Sequence, residues 1–400
     1  MWVKSDKKVL MIAFFFPPLG GSAAQRHRHY VKYLPQYGWE PVVLSVSGWG
    51  GYFYDRSCMP QVTVKRTEAV LIPLPRWLRR RVLIPDEKLG WIPFAVLGGL
   101  GMLRKGCRVI WSTSPPESAH LVGYLLHKLT GVPWVADFNN EWTDNPAYNF
   151  PGPLVKRLHA CLEDLVIRNA DALCTLSPAH KRLLQGRYPG TSKFYVIQSG
   201  YDQEEFPRLD IPRVKRPYCL ITHTGSFYGV QMPVAFIRAV NLLVDEGEIP
   251  AGTLRIRFIG HLWEAHGYVS QLKVPYELLG YVSYRRIPGY LLDSDILLIT
   301  LTELGERVIP NKVYEYMAVG RPILAVVPLG EVADLIDHTG TGIVVPPHDL
   351  DRIKQAICTL YRAWREGKTY HRPEWDKIRS YNVRDIVRRL AEVLDHVSPS

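Results

Sequence analysis

Short apolar runs recur through the first 200 positions of the chain: KVLMIAFFF, PVVLSV, RVIWST, PWVADF, ALCTLS and FYVIQS. Amphipathic stretches of helical period lie between them, and this alternation predicts repeated βα units on a parallel sheet. Ser114 before Pro115-Pro116 and Ser177 before Pro178 read as helix starts, each an N-cap with proline at the first helical position. Gly131 and Gly186 read as the matching stops. A charged stretch with three prolines, QEEFPRLDIPRVKRP from 203, has no periodicity and reads as a linker. Beyond it a second series begins: YCLITHTGS, LRIRFIG, YELLGYV, DILLITL, PILAVV and GIVV, again with helical stretches between. NVRDIVRRLAEVLDHV, from 382, is an amphipathic helix after a loop containing Trp375. The pattern divides the chain into an N-terminal domain (1–203), a linker (204–217), a C-terminal domain (218–380) and a C-terminal helix (381–400). Two doubly wound domains in sequence are expected to leave a ligand cleft between the carboxyl edges of their sheets.

The first βα unit carries unusual punctuation. Its strand runs into FFFPPLGGSA (14–23), and AAQRHRHYVKYL follows, with apolar or amphipathic side chains near 23, 27, 30 and 34, before Gly38. A glycine loop at the end of a first strand lets backbone and helix N–H groups approach an anion. The blander alternative is a tight turn needing positive φ at Gly20 or Gly21, and on this stretch alone it is favoured. Neither the GxGxxG spacing nor a Walker lysine is present.

Length agrees with the two-domain division, since 400 residues exceed what one core usually supports. The six cysteines (58, 107, 161, 174, 219, 358) are scattered, with no C-x-x-C pair, which argues against a zinc site or disulfide framework and suits a reducing cytosol. The N-terminal apolar run is short and strand-like, so no signal peptide is expected. WIPFAVLGGLGML (91–103) is the longest uncharged apolar stretch and is too short for a bilayer needing about 20 residues. Charge is divided unevenly: residues 1–200 hold 25 Lys and Arg against 13 Asp and Glu, residues 201–400 hold 24 against 25. An anionic partner is therefore expected on the N-terminal half. Without a helix-turn-helix, zinc finger or RNP-type motif, nucleic acid is disfavoured.

The most informative stretch is ELGERVIPNKVYEYMAVGRPILAVVP (303–328). A loop ends in Pro310 and Asn311, a helix opens with Lys312, and Gly320 sits at its C′ position, so the helix end and one lysine face the expected cleft. Glu315 lies about one turn inside. A carboxylate there can accept both hydroxyls of a ribose while the helix end and Lys312 hold a diphosphate.

This stretch resembles the family 4 glycosyltransferases of the GT-B fold, particularly bacterial members that build surface polysaccharides. The likeness extends through FFFPPLGGSAAQR, PDEKLGWIPFA, SPPESAHLVGYLLHKLTGVPWVADF, ADALCTLSP, SGYDQEEF, HTGSFYG and LLGYVSYRRIPGYLLDSDILLI, in order. It implies two Rossmann-like doubly wound domains facing across a cleft, with the C-terminal helix able to return to the N-terminal domain. It also implies that Gly20 and Gly21 face the donor diphosphate from one domain and Gly225 and Ser226 from the other, with Tyr281 and Val282 along the base. Pro310, Asn311, Lys312 and Glu315 complete the nucleotide site. Many relatives carry two glutamates eight positions apart; here the position eight before Glu315 is Arg307, with Glu306 one residue off, so the first is missing or shifted. The arginine and lysine common after the second glycine loop are absent, YGVQMP offering Gln231, so Lys312 or Arg307 is expected to carry that charge. Asn139 and Asn140 stand where an Arg-Asp pair is common.

Several features admit blander readings. Asp293-Ser294-Asp295 looks like a D-x-D metal motif, but its place between helix and strand favours turn and capping roles, and no metal is expected. His27 and His29, on a helix with Arg26 and Arg28, read as a solvated basic face, and His120 as packing. Asp137, ending a strand, is either a substrate contact or a loop cap. The run PRWLRRRVLIP (75–85) is either a solvated face or a docking element for an anionic membrane through Arg76, Trp77, Arg79, Arg80 and Arg81; Trp77 and Trp91 flanking the arginines, the apolar stretch that follows and the charge asymmetry favour docking.

The expected protein is a metal-independent, retaining hexosyltransferase without cofactor, on the cytosolic side and peripheral at the inner face of the cell membrane. It would move sugar from a nucleotide sugar, uridine diphosphate-linked, to a lipid-linked or oligosaccharide acceptor in surface-polysaccharide synthesis. Lys312, Arg307, Glu306 and Asp137 are the candidate catalytic residues. A nucleotide-sugar epimerase and a catalytically silent sugar-nucleotide-binding subunit remain the alternatives.

Overall fold

A computed structural model describes residues 7–48, 53–146, 148–207 and 216–399. Most of the expected linker, 208–215, lies outside the described residues. The chain forms two compact units, Met1–Ser199 with Arg384–Ser400, and Gly200–Val383.

The first unit is built on seven strands: β1 (Lys7–Ile12), β2 (Trp39–Val46), β3 (Thr63–Thr67), β4 (Cys107–Ser114), β5 (Trp134–Phe138), β6 (Ala172–Thr175) and β7 (Phe194–Val196). They lie in the order β3-β2-β1-β4-β5-β6-β7, every pair parallel. The apolar runs become central strands because helices cover both faces of a doubly wound sheet, leaving no strand face for polar residues. Val9, Leu10, Met11 and Ile12 of β1 are accordingly buried side by side. β3 (TVKRT) does not appear among the apolar runs because it is an edge strand with one side in solvent. The strand order reverses between β1 and β4, so the loops leaving these two strands meet at the topological switch point, where open α/β sheets bind ligands.

WIPFAVLGGLGML becomes the helix Ile92–Leu103, held close to its neighbours by paired glycines. A Cβ at Gly99 would stand 2.5 Å from Leu126 Cδ1, and one at Gly98 would stand 2.7 Å from Thr67 Cγ2. No described helix is long and apolar enough to cross a membrane. The C-terminal helix Val383–Val397 belongs to this unit from Arg384 onward. Its buried stripe, Ile386, Val387, Leu390, Ala391 and Leu394, follows the helical period. Asp395 pins it by accepting from Lys7 Nζ at 2.8 Å and Trp39 Nε1 at 3.1 Å.

The second unit has six parallel strands: β8 (Cys219–Thr224), β9 (Leu254–Ile259), β10 (Tyr276–Leu278), β11 (Ile296–Thr300), β12 (Ile323–Val326) and β13 (Gly342–Val345). Their order, β10-β9-β8-β11-β12-β13, reverses between β8 and β11. Gly225 and Ser226 leave β8 and residues 301–311 leave β11, so the two most informative motifs of this half share one switch point.

Three local expectations need correction. Ser114 is the last residue of β4, not a helix cap; the helix starts at Ser118, whose N–H donates to Asp86 at 2.7 Å from a distant segment. Gly186 lies inside the helix Pro178–Arg187. Arg26, His27, Arg28 and His29 are all buried and form no solvated basic face. A spiral of basic side chains suggests exposure, but here buried acceptors take them up. The Arg26 guanidinium meets Asp137 and Asn139 and donates to the Ile197 carbonyl at 2.7 Å, and His27 Nδ1 donates to the Phe15 carbonyl at 2.8 Å. Burial drives the His27 imidazole down to about 3, so it is neutral and Nδ1 carries its proton.

Candidate functional site

In the second unit, strand β8 (CLITHT) delivers His223 two residues before Gly225. His223 Nδ1 lies 2.9 Å from the Leu298 carbonyl of β11, which can only accept, so Nδ1 carries the proton. Nε2 is therefore an acceptor, and Lys312 Nζ stands 3.1 Å from it. Phe227 stacks on the imidazole at 4.3 Å and 15° between ring planes, fixing its tilt. Burial and the adjacent Lys312 hold His223 well below its ordinary value, and it stays neutral.

Lys312 opens the helix Lys312–Val319 and reaches back over the glycine turn. Gly225 has φ +97, and a Cβ on it would lie 2.8 Å from Lys312 Nζ and 3.1 Å from Cε. A side chain here would displace the ammonium. Behind it, a Cβ on Gly260 would lie 2.6 Å from the Gly225 carbonyl, so the turn is packed backbone on backbone. Gly225 N–H donates to the Ile259 carbonyl at 2.7 Å, and Ser226 Oγ accepts from His261 N–H at 3.1 Å. Burial lowers Lys312 to about 7, with Glu315 acting in the opposite direction. Glu315, largely buried one turn along, accepts from Tyr284 OH at 2.9 Å. Tyr316 OH accepts from the Thr224 N–H at 2.7 Å, tying the same helix to the end of β8.

A cation, a side-chain-free turn and a carboxylate are thus assembled on one helix end and one strand end. The arrangement can hold a polyanion beside Gly225 and, one turn away, accept hydroxyls at Glu315. Of the other expected residues in this unit, Pro310 and Asn311 lead directly into the Lys312 helix. Tyr281 is partly exposed, and Val282 packs on the hydrophobic core. Glu306 and Arg307 pair with each other at 2.9 Å. The Glu306 carbonyl also accepts from Glu331 N–H at 2.9 Å. Asp293, Ser294 and Asp295 each have structural partners: Asp293 pairs with Arg257 at 2.9 Å, Ser294 Oγ donates to Thr222 Oγ1 at 2.7 Å, and Asp295 accepts from Leu220 N–H at 2.9 Å.

In the first unit, Gly20 N–H donates to the Phe53 carbonyl at 2.6 Å, and Gly21 (φ +107) precedes the helix Ser22–Tyr33. A Cβ on Gly21 would meet nothing within 4 Å, so its φ, not crowding, calls for glycine. Asp137 is fully buried; its carboxylate is engaged by Arg26 and lies 3.4 Å from Thr113 Oγ1. His120 packs among Phe138, Trp134 and Trp142, with Nδ1 2.8 Å from Ser112 Oγ.

Sequence reasoning passed over His223 and Tyr284, because their roles rest on contacts 89 and 31 positions away in the chain. The only local signal was a histidine in an otherwise apolar and threonine strand leading into glycine. It also passed over Glu117, which follows β4 at the first switch point and accepts from Tyr148 OH at 2.9 Å. Burial and the neighbouring Asp86 push Glu117 up to about 8, leaving it largely protonated at neutral pH.

Comparison with known proteins gives these features a family. Residues 21–200 match a "Glycosyl transferase 4-like domain" and residues 219–363 match "Glycosyl transferases group 1". The chain is 43% identical over 333 residues to the Pseudomonas aeruginosa protein described as "Probable glycosyltransferase WbjE", covering 75% of this chain and 78% of that one. Among solved structures, sucrose-phosphate synthase of Thermosynechococcus elongatus superposes with a TM-score of 0.69 at 16% identity, over 98% of both chains. Anabaena Alr3699/HepE, solved in complex with UDP-glucose, gives a TM-score of 0.69 at 14% identity, over 97% of this chain and 99% of that one. Two parallel doubly wound units, matched over both halves by glycosyltransferase families, identify the chain as a glycosyltransferase of the GT-B fold.

Proposed function

We propose that the protein transfers a hexosyl group from a nucleotide sugar, uridine diphosphate-linked, to a lipid-linked or oligosaccharide acceptor, with retention at the anomeric carbon, in surface-polysaccharide synthesis. The observation that carries this reading is Lys312 held over Gly225 with Glu315 one turn along the same helix. The ammonium and the helix N-terminus would take the charge that grows on the departing diphosphate, an electrostatic role that asks for no metal ion. Glu315, oriented by Tyr284, would accept the two ribose hydroxyls. Tyr281 and Val282 would lie along the base. Uridine diphosphate as the nucleotide is supported by the HepE complexes, and the polysaccharide role by the family likeness.

Glu315→Gln tests the reading. A neutral amide offers the ribose a mixed donor and acceptor edge, and UDP affinity should fall by roughly 1.5–3 kcal/mol. Calorimetry giving wild-type affinity in a folded variant would remove Glu315 from the site.

The acceptor side of the proposal includes docking of the first unit on the inner face of the membrane. The helix Arg76–Val82 presents Trp77, 66% exposed, with the Arg81 guanidinium 6.0 Å from its ring centre. Leu71 is 70% exposed nearby in the chain, so apolar and basic groups share this region, but Trp91, expected to flank the arginines, is fully buried against Phe14 and takes no part. Arg79 is partly engaged by Glu87 at 3.8 Å, and the side chain of Arg76 lies outside the described residues. Each basic residue near an anionic surface contributes about 1 kcal/mol. Changing Arg79, Arg80 and Arg81 to glutamine should therefore weaken flotation with anionic vesicles by about 2–3 kcal/mol, and raising salt should do likewise. Equal binding to neutral vesicles, or an unaffected variant, would refute docking.

A further inference from the structure

We propose that His223 is a positioning residue: its neutral imidazole holds the Lys312 ammonium over Gly225 without neutralising it, so that a diphosphate meets a cation already aimed. The inference rests on the reading of this site as a nucleoside-diphosphate site and concerns a residue that reading does not use. Lysine is a flexible point charge, and one partly withdrawn from water needs a partner to hold it in place. A carboxylate in that place would form an ion pair that the incoming diphosphate must break. An imidazole whose only proton is committed elsewhere offers a lone pair and no charge.

Each part of the device is present. Nδ1–H is spent on the Leu298 carbonyl at 2.9 Å, leaving Nε2 as acceptor 3.1 Å from Lys312 Nζ. Phe227 stacks on the ring at 4.3 Å and limits its tilt. The missing side chain of Gly225 leaves the ammonium its position, 2.8 Å from where a Cβ would stand. Among the described residues, the titratable groups acting on Lys312 are His223 from β8 and Glu315 from its own helix, the latter tied to Tyr284. Because burial lowers Lys312 to about 7, UDP affinity should be full below that pH and decline above it. Removing the acceptor at 223 takes stabilisation from the charged lysine and moves this decline to lower pH.

The test is calorimetric titration of UDP and of uridine into wild type, His223→Gln and His223→Leu between pH 6 and 9. Glutamine keeps an acceptor near the Nε2 position, whereas leucine keeps only bulk. His223→Leu should bind UDP about tenfold or more weakly at pH 7, with its decline shifted to lower pH and uridine affinity unchanged. His223→Gln should recover most of the loss. Imidazole nitrogen shifts of the wild-type protein supply a reading independent of any variant's folding, and the Nδ1–H form is expected. UDP binding by His223→Leu equal to wild type, or an Nε2–H tautomer, would overturn the role of His223 while leaving the nucleotide reading intact. Wild type that ignores UDP would overturn that reading and this inference with it.

Discussion

Lys312→Ala is expected to lower kcat by about 10²–10³ while weakening UDP-sugar binding far less. Negative charge on a departing diphosphate grows toward the transition state, so a cation fixed beside it stabilises the transition state more than the ground state. The ammonium is fixed: it rests over a glycine whose Cβ would lie 2.8 Å away and is held by the His223 acceptor at 3.1 Å. Such preorganisation costs no rearrangement during reaction. Steady-state rates over a donor titration, with direct binding measured alongside, separate the two contributions. A loss confined to KM would mean that Lys312 holds substrate and transition state equally, and the leaving-group role would fall.

Asp137→Ala is expected to cost roughly 3–5 kcal/mol of stability in the first unit. Asp137 is fully buried against the Arg26 guanidinium, which also meets Asn139 and the Ile197 carbonyl. Removing the carboxylate strands a buried guanidinium with too little negative charge, and desolvation is then uncompensated. Chemical denaturation of the variant and of wild type measures the difference. Unchanged stability with lost turnover would instead return Asp137 to the substrate side, where its place at a strand end had put it among the catalytic candidates.

The fold was legible in the chain because parallel strands buried on both faces are short unbroken apolar runs. Thr63–Thr67 escaped because an edge strand need bury only one side, so Lys65 and Arg66 hide it among polar segments. Within the candidate site, Lys312 and Glu315 could be selected because they stand in the first turn of a helix, whereas Gly225 and Ser226 were picked out by the family resemblance. The groups that orient them could not. His223 and Tyr284 act through contacts that exist only once β8, β11 and the Lys312 helix are assembled. The same limit explains Arg26, His27, Arg28 and His29. Their polarity reads as exposure until the Phe15 and Ile197 carbonyls and the Asp137 carboxylate are found beside them.

Hydrogen–deuterium exchange of the wild-type protein with and without saturating UDP tests the central claim most directly, because it locates the nucleotide without altering a side chain. UDP should slow exchange in the second unit, at Gly225–Ser226 and through the first turn of the helix Lys312–Val319, and uridine alone should protect Gly225–Ser226 less. Strong protection by UDP that leaves both segments unchanged would contradict the assignment of the diphosphate to Lys312 and the glycine turn.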